Sequence, residues 1–468
     1  MKAALPFALG TLVLGGCTVV GPDTRVTTEA PAAFASSSST VAAPAPARTV
    51  EDWWLVFGDP ELNTLEAQAL ANSPTLVAAL ARVDEARARL GIIRAEASPS
   101  VNATGTARLA GESAERELPL PGKPLTYREH GDSYRVAADA SYEFDLWGRV
   151  KRSVEGAEAN LRAAESDQRG VFLTLTADIA QTYLTLRALD AEEQVLDQSL
   201  RQRMDSVAML RTRFESGFVT EVEVHRSEAE AAGIASELAD LQRRRGLLEH
   251  ALAVFTGQPP SAMASLARGA LPQPPTIPAG LPIETLRRRP DIALAEATLS
   301  ARLAEVGVAQ AAKYPVIRLT GSAGFESLDL TNLVERPSQF WQLGPSVSLP
   351  IFTAGRTAKT VAIAEARVEQ SRAEHRQRTL VALREVEDAL VDLRHQTEQR
   401  EHVQRASTSA AAAAQLARVR YEQGYTTYLE ALDAERTLLA QTRTLAQLDG
   451  ARALSTVRLI RALGGAWQ

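Results

Sequence analysis

Few side chains in this sequence are of the types that do covalent or metal chemistry. There is one cysteine, Cys17. It follows a short positive start, Met1-Lys2, an apolar stretch from Ala3 to Leu14 and the small-residue site Leu14-Gly-Gly. That order of features is a secretory signal over 1–16, too short and wrongly flanked for a membrane-spanning helix. After cleavage the Cys17 thiol would stand at the new N-terminus, where a nucleophilic sulfur can accept an acyl group. The six histidines, at 130, 225, 250, 375, 395 and 402, show no His-x-x-x-His spacing. His395 and His402 share one helical face, but two imidazoles without a third ligand do not make a metal site. No glycine-rich phosphate loop precedes a helix. The expectation is no enzyme, no cofactor and no metal.

The cysteine directly after small residues resembles a bacterial lipobox, and Thr18 behind it favours the outer membrane as destination. An ordinary signal peptide with an incidental cysteine is the other reading. Acidic and basic residues are interspersed along helix faces at a formal net charge of −6, which argues against a nucleic-acid partner.

The elements that must position anything else are long. From Arg149 to Glu215 there is no proline, and apolar residues recur at three- and four-residue spacing. Val171, Leu175, Ile179, Tyr183 and Leu186 run down one face; Leu189, Leu196, Leu200, Met204 and Leu210 carry it on. At ~1.5 Å per residue this is a rod of about 100 Å, which no compact core requires. Arg356 to Glu422 repeats both the length and the ending. Ahead of these lies a Pro/Ala/Ser/Thr-rich tract within 17–50, read as an acylated N-terminus and flexible tether. Asp59-Pro-Glu-Leu62 then opens a short helix to Asn72, and Pro74 a second one to Ala97.

After Pro99 the period changes from 3.6 to 2. Val101, Ala103, Gly105 and Ala107 alternate with Ser100, Asn102, Thr104 and Thr106. Tyr134, Val136, Ala138, Ala140, Tyr142 and Phe144 alternate with Arg135, Asp139, Ser141 and Glu143. Strands of ~10 residues with one oily and one wet side suit a tilted membrane crossing, although a soluble half-buried hairpin shows the same pattern. The duplication favours the membrane. Pro74 pairs with Pro290, Gly91 with Gly307, Pro99 with Pro315 and Thr104-Gly105 with Thr320-Gly321. Further on, Gly148-Arg149 pairs with Gly355-Arg356 and Arg213-Phe-Glu-x-Gly217 with Arg420-Tyr-Glu-x-Gly424. The strand alternation returns in the second copy.

The chain therefore divides into a first repeat over 51–256, with a β-hairpin at 100–110/134–145 and a helical hairpin at 149–256, and a second over 283–468, with a β-hairpin at 316–326/340–349 and a helical hairpin at 356–464. A Pro/Gly-rich connector over 257–282 lies between, read as a belt across the helices or a plain linker. Four strands cannot close a barrel in lipid, because open edges leave backbone groups unpaired. Several chains must pool them: two would supply eight strands and three would supply twelve. In each repeat the return arm is shorter than the outgoing one, and the short helix before the strands nearly supplies the missing length if stacked end to end. The fold class is mostly α with a membrane β-barrel portion, internally duplicated.

Arg288-Arg-Pro-Asp291, Pro315-x-x-x-Leu-Thr-Gly321, Phe144-Asp-Leu-Trp-Gly148 and Tyr421-Glu-x-Gly…Leu-Asp-Ala-Glu-Arg436 resemble the outer-membrane factor family. These are the TolC- and OprM-type exit ducts of efflux pumps, here in the NodT-like lipoprotein branch. The resemblance covers about 60 to 468. It implies a homotrimer with a twelve-stranded β-barrel in outer-membrane lipid and a periplasmic α-helical barrel closed at its far tip. It also implies docking to a periplasmic adaptor (membrane fusion) protein and an inner-membrane pump of the RND type. The family's closing residues match Tyr421, Leu429, Asp433 and Arg436 here, with Asp433 and Arg436 three apart on one face, able to pair across subunits or to form an ordinary surface pair. The first copy has Phe214, Arg226 and Ala229 at the positions of Tyr421, Asp433 and Arg436, so only one hairpin would bear a gate. Gly217, Phe218, Thr220, Gly424, Tyr425 and Thr427 would form the adaptor-facing tips, the glycines where φ > 0 is required. The exit conduit of a type I secretion system is an alternative; a periplasmic structural or adaptor lipoprotein is another, but it would lack the duplicated two-faced strands.

Overall fold

The computed structural model describes residues 19–26, 35, 51–110, 132–263, 265–275, 277 and 286–466. The signal peptide, Cys17, His130 and the end of the connector lie outside the described residues. Seven helices are described here: α1 (Pro60–Asn72), α2 (Pro74–Ala95), α3 (Arg149–Glu215), α4 (Glu221–Phe255), α5 (Pro290–Ala311), α6 (Arg356–Glu422) and α7 (Tyr428–Ala462). The strands are β1 (Ser100–Arg108), β2 (Ser133–Phe144), β3 (Val316–Ser327) and β4 (Gln339–Ser348). The duplication is carried to the residue: α2 and α5 have 22 residues each, α3 and α6 have 67, and α4 and α7 have 35.

Two compact units divide the chain. The first holds the sheet, an antiparallel meander in the order β1-β2-β3-β4. Its register keeps the faces separate. Val101 stands opposite Ala140, which stands opposite Gly321, itself opposite Leu343. One residue along, Asn102, Asp139, Ser322 and Gln342 make the matching row on the other face. A slip of one residue in any strand would mix the two rows. The same unit packs α5 against the start of α6 through Leu299, Leu303, Val306, Val361, Ala364 and Val368. The start of α3 also lies against α5, where a Cβ on Gly156 would stand in contact with that of Ala304 at 3.4 Å.

Residues 19–22 were expected to belong to a free tether on composition. They are instead laid against this unit: the Val20 amide donates to the Trp147 carbonyl at 3.2 Å, and Arg152 donates to the carbonyls of Val20 and Gly21 at 3.2 and 3.3 Å. Backbone hydrogen bonding and glycine-permitted approach hold a segment that has too little apolar area to fold alone.

The second unit holds the main core, where Trp53, Leu62, Leu65, Ile179, Tyr183, Leu184, Leu186, Leu252 and Val457 are buried. Asp59 starts α1 and ties it down. Its Oδ1 accepts from the amides of Glu61 and Leu62, while its Oδ2 accepts from the Tyr183 hydroxyl at 2.8 Å. After each return helix the chain turns through a left-handed glycine, Gly257 (φ 73°) and Gly464 (φ 84°). A Cβ on the first would meet the Asn72 carbonyl and on the second the Arg288 carbonyl. Those residues sit just ahead of α2 and α5, so in both copies the return helix ends on the start of the short helix.

The apolar stripe of α3 departs from the sequence reading at one place. Leu196 and Leu210 are fully buried, but Met204 is 60% exposed and Arg203 takes the inward position. Steps of four drift by about 40° each against a 3.6-residue turn, so the buried line runs 196, 200, 203, 210 and leaves 204 outside. The Arg203 side chain is paired with Glu435 of α7 at 2.9 Å.

Candidate functional site: a two-faced sheet and a paired helical tip

The row of residues on one face of the sheet is apolar and open. Val101, Val136, Trp341, Leu343 and Val347 are all more than half exposed in the single chain. Tyr142 and Phe144 sit on that face edge to face, ring centroids 5.1 Å apart. The opposite face is a hydrogen-bonded polar lining. Asp139 accepts from Thr104 and Ser322, both at 2.6 Å, and lies 3.5 Å from Arg135. Glu143 pairs with Arg318 at 3.2 Å. Arg135 also stacks over the Phe340 ring. Gly324 is needed on this face, because a Cβ there would lie 2.6 Å from the Ala137 Cα. Among the described residues the outer strands β1 and β4 each have one partner. Such a sheet can put water on one side and hydrocarbon on the other, once its edges are paired.

At the other candidate site, in the second unit, the helical hairpins turn over. Both turns are Schellman motifs. In the first, the Gly217 amide donates to Phe214 O and that of Phe218 to Arg213 O; in the second, Gly424 donates to Tyr421 O and Tyr425 to Arg420 O. Gly217 and Gly424 have φ of 79° and 80°, with open space where a Cβ would stand. Backbone conformation alone therefore selects glycine. We expect Gly424→Val to cost roughly 1–2 kcal/mol locally, and Gly424→Asn clearly less, because asparagine tolerates the left-handed region. Hydrogen exchange of the Tyr425 amide measures this; equal rates in the two variants would contradict it.

Phe218 and Tyr425, beside those glycines, are 81% and 73% exposed. Thr220 precedes α4 and its amide donates to Glu223 at 2.9 Å. Thr427 holds the same place before α7, where Glu430 accepts instead from the Thr426 hydroxyl. Below the turns, Leu210, Val224, Ala417, Tyr421, Tyr428, Ala431 and Leu432 form a small core. Tyr421 is buried in it, 5.6 Å from the Tyr428 ring and under the Arg213 guanidinium. Burial pushes its hydroxyl pKa up, and the arginine opposes that.

Leu429, Asp433 and Arg436 lie on the exposed side of α7. Within the chain Arg436 is bonded to Glu230 of α4, a partner the sequence reading did not name. One heptad on, Arg443 is bonded to Glu237 of α4 and Glu192 of α3. Matching steps of seven, 230 to 237 and 436 to 443, were the signal available in the sequence. Arg436 holds the Glu230 carboxyl below the usual carboxylate range. A lowered carboxylate pKa means the link contributes above the unfolded value of about 4.3 and is lost as pH falls through the folded one.

The connector is also fixed by charge. Arg245 and Arg187, both buried, share Asp190 at 2.8 and 2.9 Å. Arg245 also donates to the Leu266 carbonyl and Arg187 to that of Ala267. The Gly269 amide donates to Asp190, and Arg268 forms two bonds to Glu193, each 2.7 Å. Residues 265–269 thus lie on α3 and α4.

The profile of outer membrane efflux proteins matches residues 65–258 and 281–465. The cation efflux system protein CusC of Escherichia coli O6:H1 is 32% identical over 474 residues, covering 99% of this chain and 98% of the relative. The pyoverdine export outer membrane protein OpmQ of Pseudomonas aeruginosa is 34% identical over 426 residues, covering 90% and 89%. Among solved structures, the outer-membrane channel OprN superposes with a TM-score of 0.88 at 31% identity, covering 96% of this chain and 99% of that one.

Proposed function

The chain belongs to the outer membrane efflux protein family, and on that premise we propose that it is the exit duct of a tripartite efflux pump, held in the outer membrane as a homotrimer. The observation that carries this is the four-stranded sheet, with its separated faces and, among the described residues, an unpaired edge at each end. Three copies joined β4 to β1 make twelve strands, which removes every edge and leaves a polar lumen. The exposed apolar side chains of α2, Val77, Leu80 and Ile92, support burial against a further copy.

Conduction through such a lumen is passive, and no residue is assigned a catalytic role. CusC is named for cations and OpmQ for pyoverdine. Cargo so different on one fold supports a duct that selects little, with the choice made by an inner-membrane pump of the RND type. A periplasmic adaptor would meet the hairpin tips at Gly217, Phe218, Thr220, Gly424, Tyr425 and Thr427, where two exposed aromatic rings offer a protein partner anchoring area. An acyl group on Cys17 would add an anchor in the same membrane.

Tyr421, Leu429, Asp433 and Arg436 are the proposed gate, with Tyr421 setting the local packing and the Asp433–Arg436 face meeting its copies across the axis. The test is ion conductance of the purified protein in planar bilayers. Asp433→Ala with Arg436→Ala is expected to raise it severalfold over the wild type. Glu230→Ala alone should raise it less, because it frees Arg436 from α4 without removing the gate residues. Unchanged conductance in the double variant removes the gate assignment; a wild-type protein that forms no conducting trimer removes the duct.

A further inference from the structure

Within the first unit, the extended residues that follow Cys17 occupy a seat built for backbone. A Cβ on Gly148 would lie 2.9 Å from Val19 Cγ1, and one on Gly307 would lie 2.9 Å from the Val20 carbonyl and 2.8 Å from Arg152 Cγ. Gly21, at φ 119°, rests on Gly307 so closely that its own Cβ would be 2.6 Å from the Gly307 Cα. Side chains at these three positions would lift the segment off. Arg152, only 8% exposed, then clamps it from above through the Val20 and Gly21 carbonyls and is itself steadied by Glu155 at 2.8 Å. The repeat counterparts, Gly355 for Gly148 and Gly91 for Gly307, meet nothing within 4 Å among the described residues. The seat is therefore a departure from the duplication, and its occupant is the N-terminal segment.

Its position matters because of what adjoins it. Trp147, whose carbonyl accepts from Val20, donates through its indole to Pro315 O at 2.8 Å and stacks on Tyr314 with centroids 4.8 Å apart. This aromatic pair stands at the foot of β2 and β3, the place where Trp and Tyr mark a membrane interface. Cys17 is two residues before Val19 in the sequence, so the chain allows its Cα no more than about 7 Å from that of Val19.

We infer that residues 19–22 are a docked strap whose receptor is Gly148, Gly307 and Arg152, and that it fixes the acylated N-terminus beside the Trp147–Tyr314 pair. Lipid anchor and sheet are then held at one depth in the bilayer, where a free tether would leave them independent. The inference rests on the lipoprotein reading given above, and the test separates the two.

The intact mass of the mature protein from membranes reports the acyl group on Cys17. Hydrogen exchange of the Val20 amide in the same detergent-solubilised protein reports the strap. Gly307→Ala should favour α5 as a helix, since alanine is the better helix former. If the strap is docked, the same change must speed Val20 exchange by about fivefold to tenfold, the loss of roughly one backbone hydrogen bond. Arg152→Ala should do likewise, and Gly91→Ala should leave Val20 unchanged. An acylated protein whose Val20 exchanges at the same rate in wild type and Gly307→Ala overturns the strap. An unacylated mature protein overturns the lipoprotein reading, and the anchoring role with it, whatever Val20 does.

Discussion

Leu343→Arg should abolish insertion into the outer membrane, while Gln342→Arg, one residue away, should insert and form trimers. Both side chains are exposed in the single chain, so burial within the chain does not distinguish them. Register does: Leu343 shares a row with Gly321, Ala140 and Val101, and Gln342 shares one with Ser322, Asp139 and Asn102. Leu343 is the fifth of the ten residues of β4, close to mid-depth for a tilted strand. An arginine on the lipid face at that depth costs about 2–4 kcal/mol, and a trimer meets the cost three times. On the lumen face the same cation stays in water near Asp139. The measurement is the amount of heat-resistant trimer in outer-membrane fractions. Equal tolerance of the two variants would place the sheet in water, and equal failure would mean that the faces are not distinguished by lipid.

The second large effect is expected at Asp190. Among the described residues its carboxylate is the one bonded to both Arg187 and Arg245, whose side chains are each 6% exposed. Asp190→Leu would leave two buried guanidinium groups facing an apolar side chain. Breaking a buried pair in this way costs about 3–5 kcal/mol, because Arg187 has lost its carboxylate but not its desolvation, while Arg245 keeps Glu249 at 2.5 Å. The connector should be released first, since the Gly269 amide also loses its acceptor and Arg187 and Arg245 hold the Leu266 and Ala267 carbonyls. Tryptic cleavage after Arg268 should accelerate by about two to four orders of magnitude where opening and closing are fast relative to cleavage. Arg187→Leu combined with Asp190→Leu should cleave more slowly than Asp190→Leu alone. Additive effects, or wild-type cleavage in the single variant, would show that the cluster does not hold the connector.

Much of this molecule was legible as pattern. The change of period at Pro99, the pairing of Gly148 with Gly355 and of Gly217 with Gly424, and the acidic start at Asp59-Pro60 each express a local rule. An apolar residue every second position, a glycine where φ must be positive and an oxygen that caps a helix act over a few residues, so they survive in a string of letters. Where partners are far apart the pattern was silent. Arg436 looks from its neighbours like half of a pair with Asp433, yet the carboxylate that holds it is Glu230. Met204 continues a run of four-residue steps, but a long helix drifts, and Arg203 is the side chain turned inward toward Glu435.

Periodicity, duplication and the end of each hairpin were thus determined by the sequence itself, because backbone geometry converts them directly into strands, helices and turns. Two decisions belong to the tertiary structure alone: which charges are buried together around Asp190, and that residues 19–22 are seated on Gly148 and Gly307 instead of trailing free. Both depend on close approach between segments distant in sequence, by 55 to 80 residues between elements around Asp190 and by more than a hundred at the 19–22 seat, where one missing Cβ or one shared carboxylate settles the outcome. No local spacing encodes such an approach; it exists only once the helices have packed.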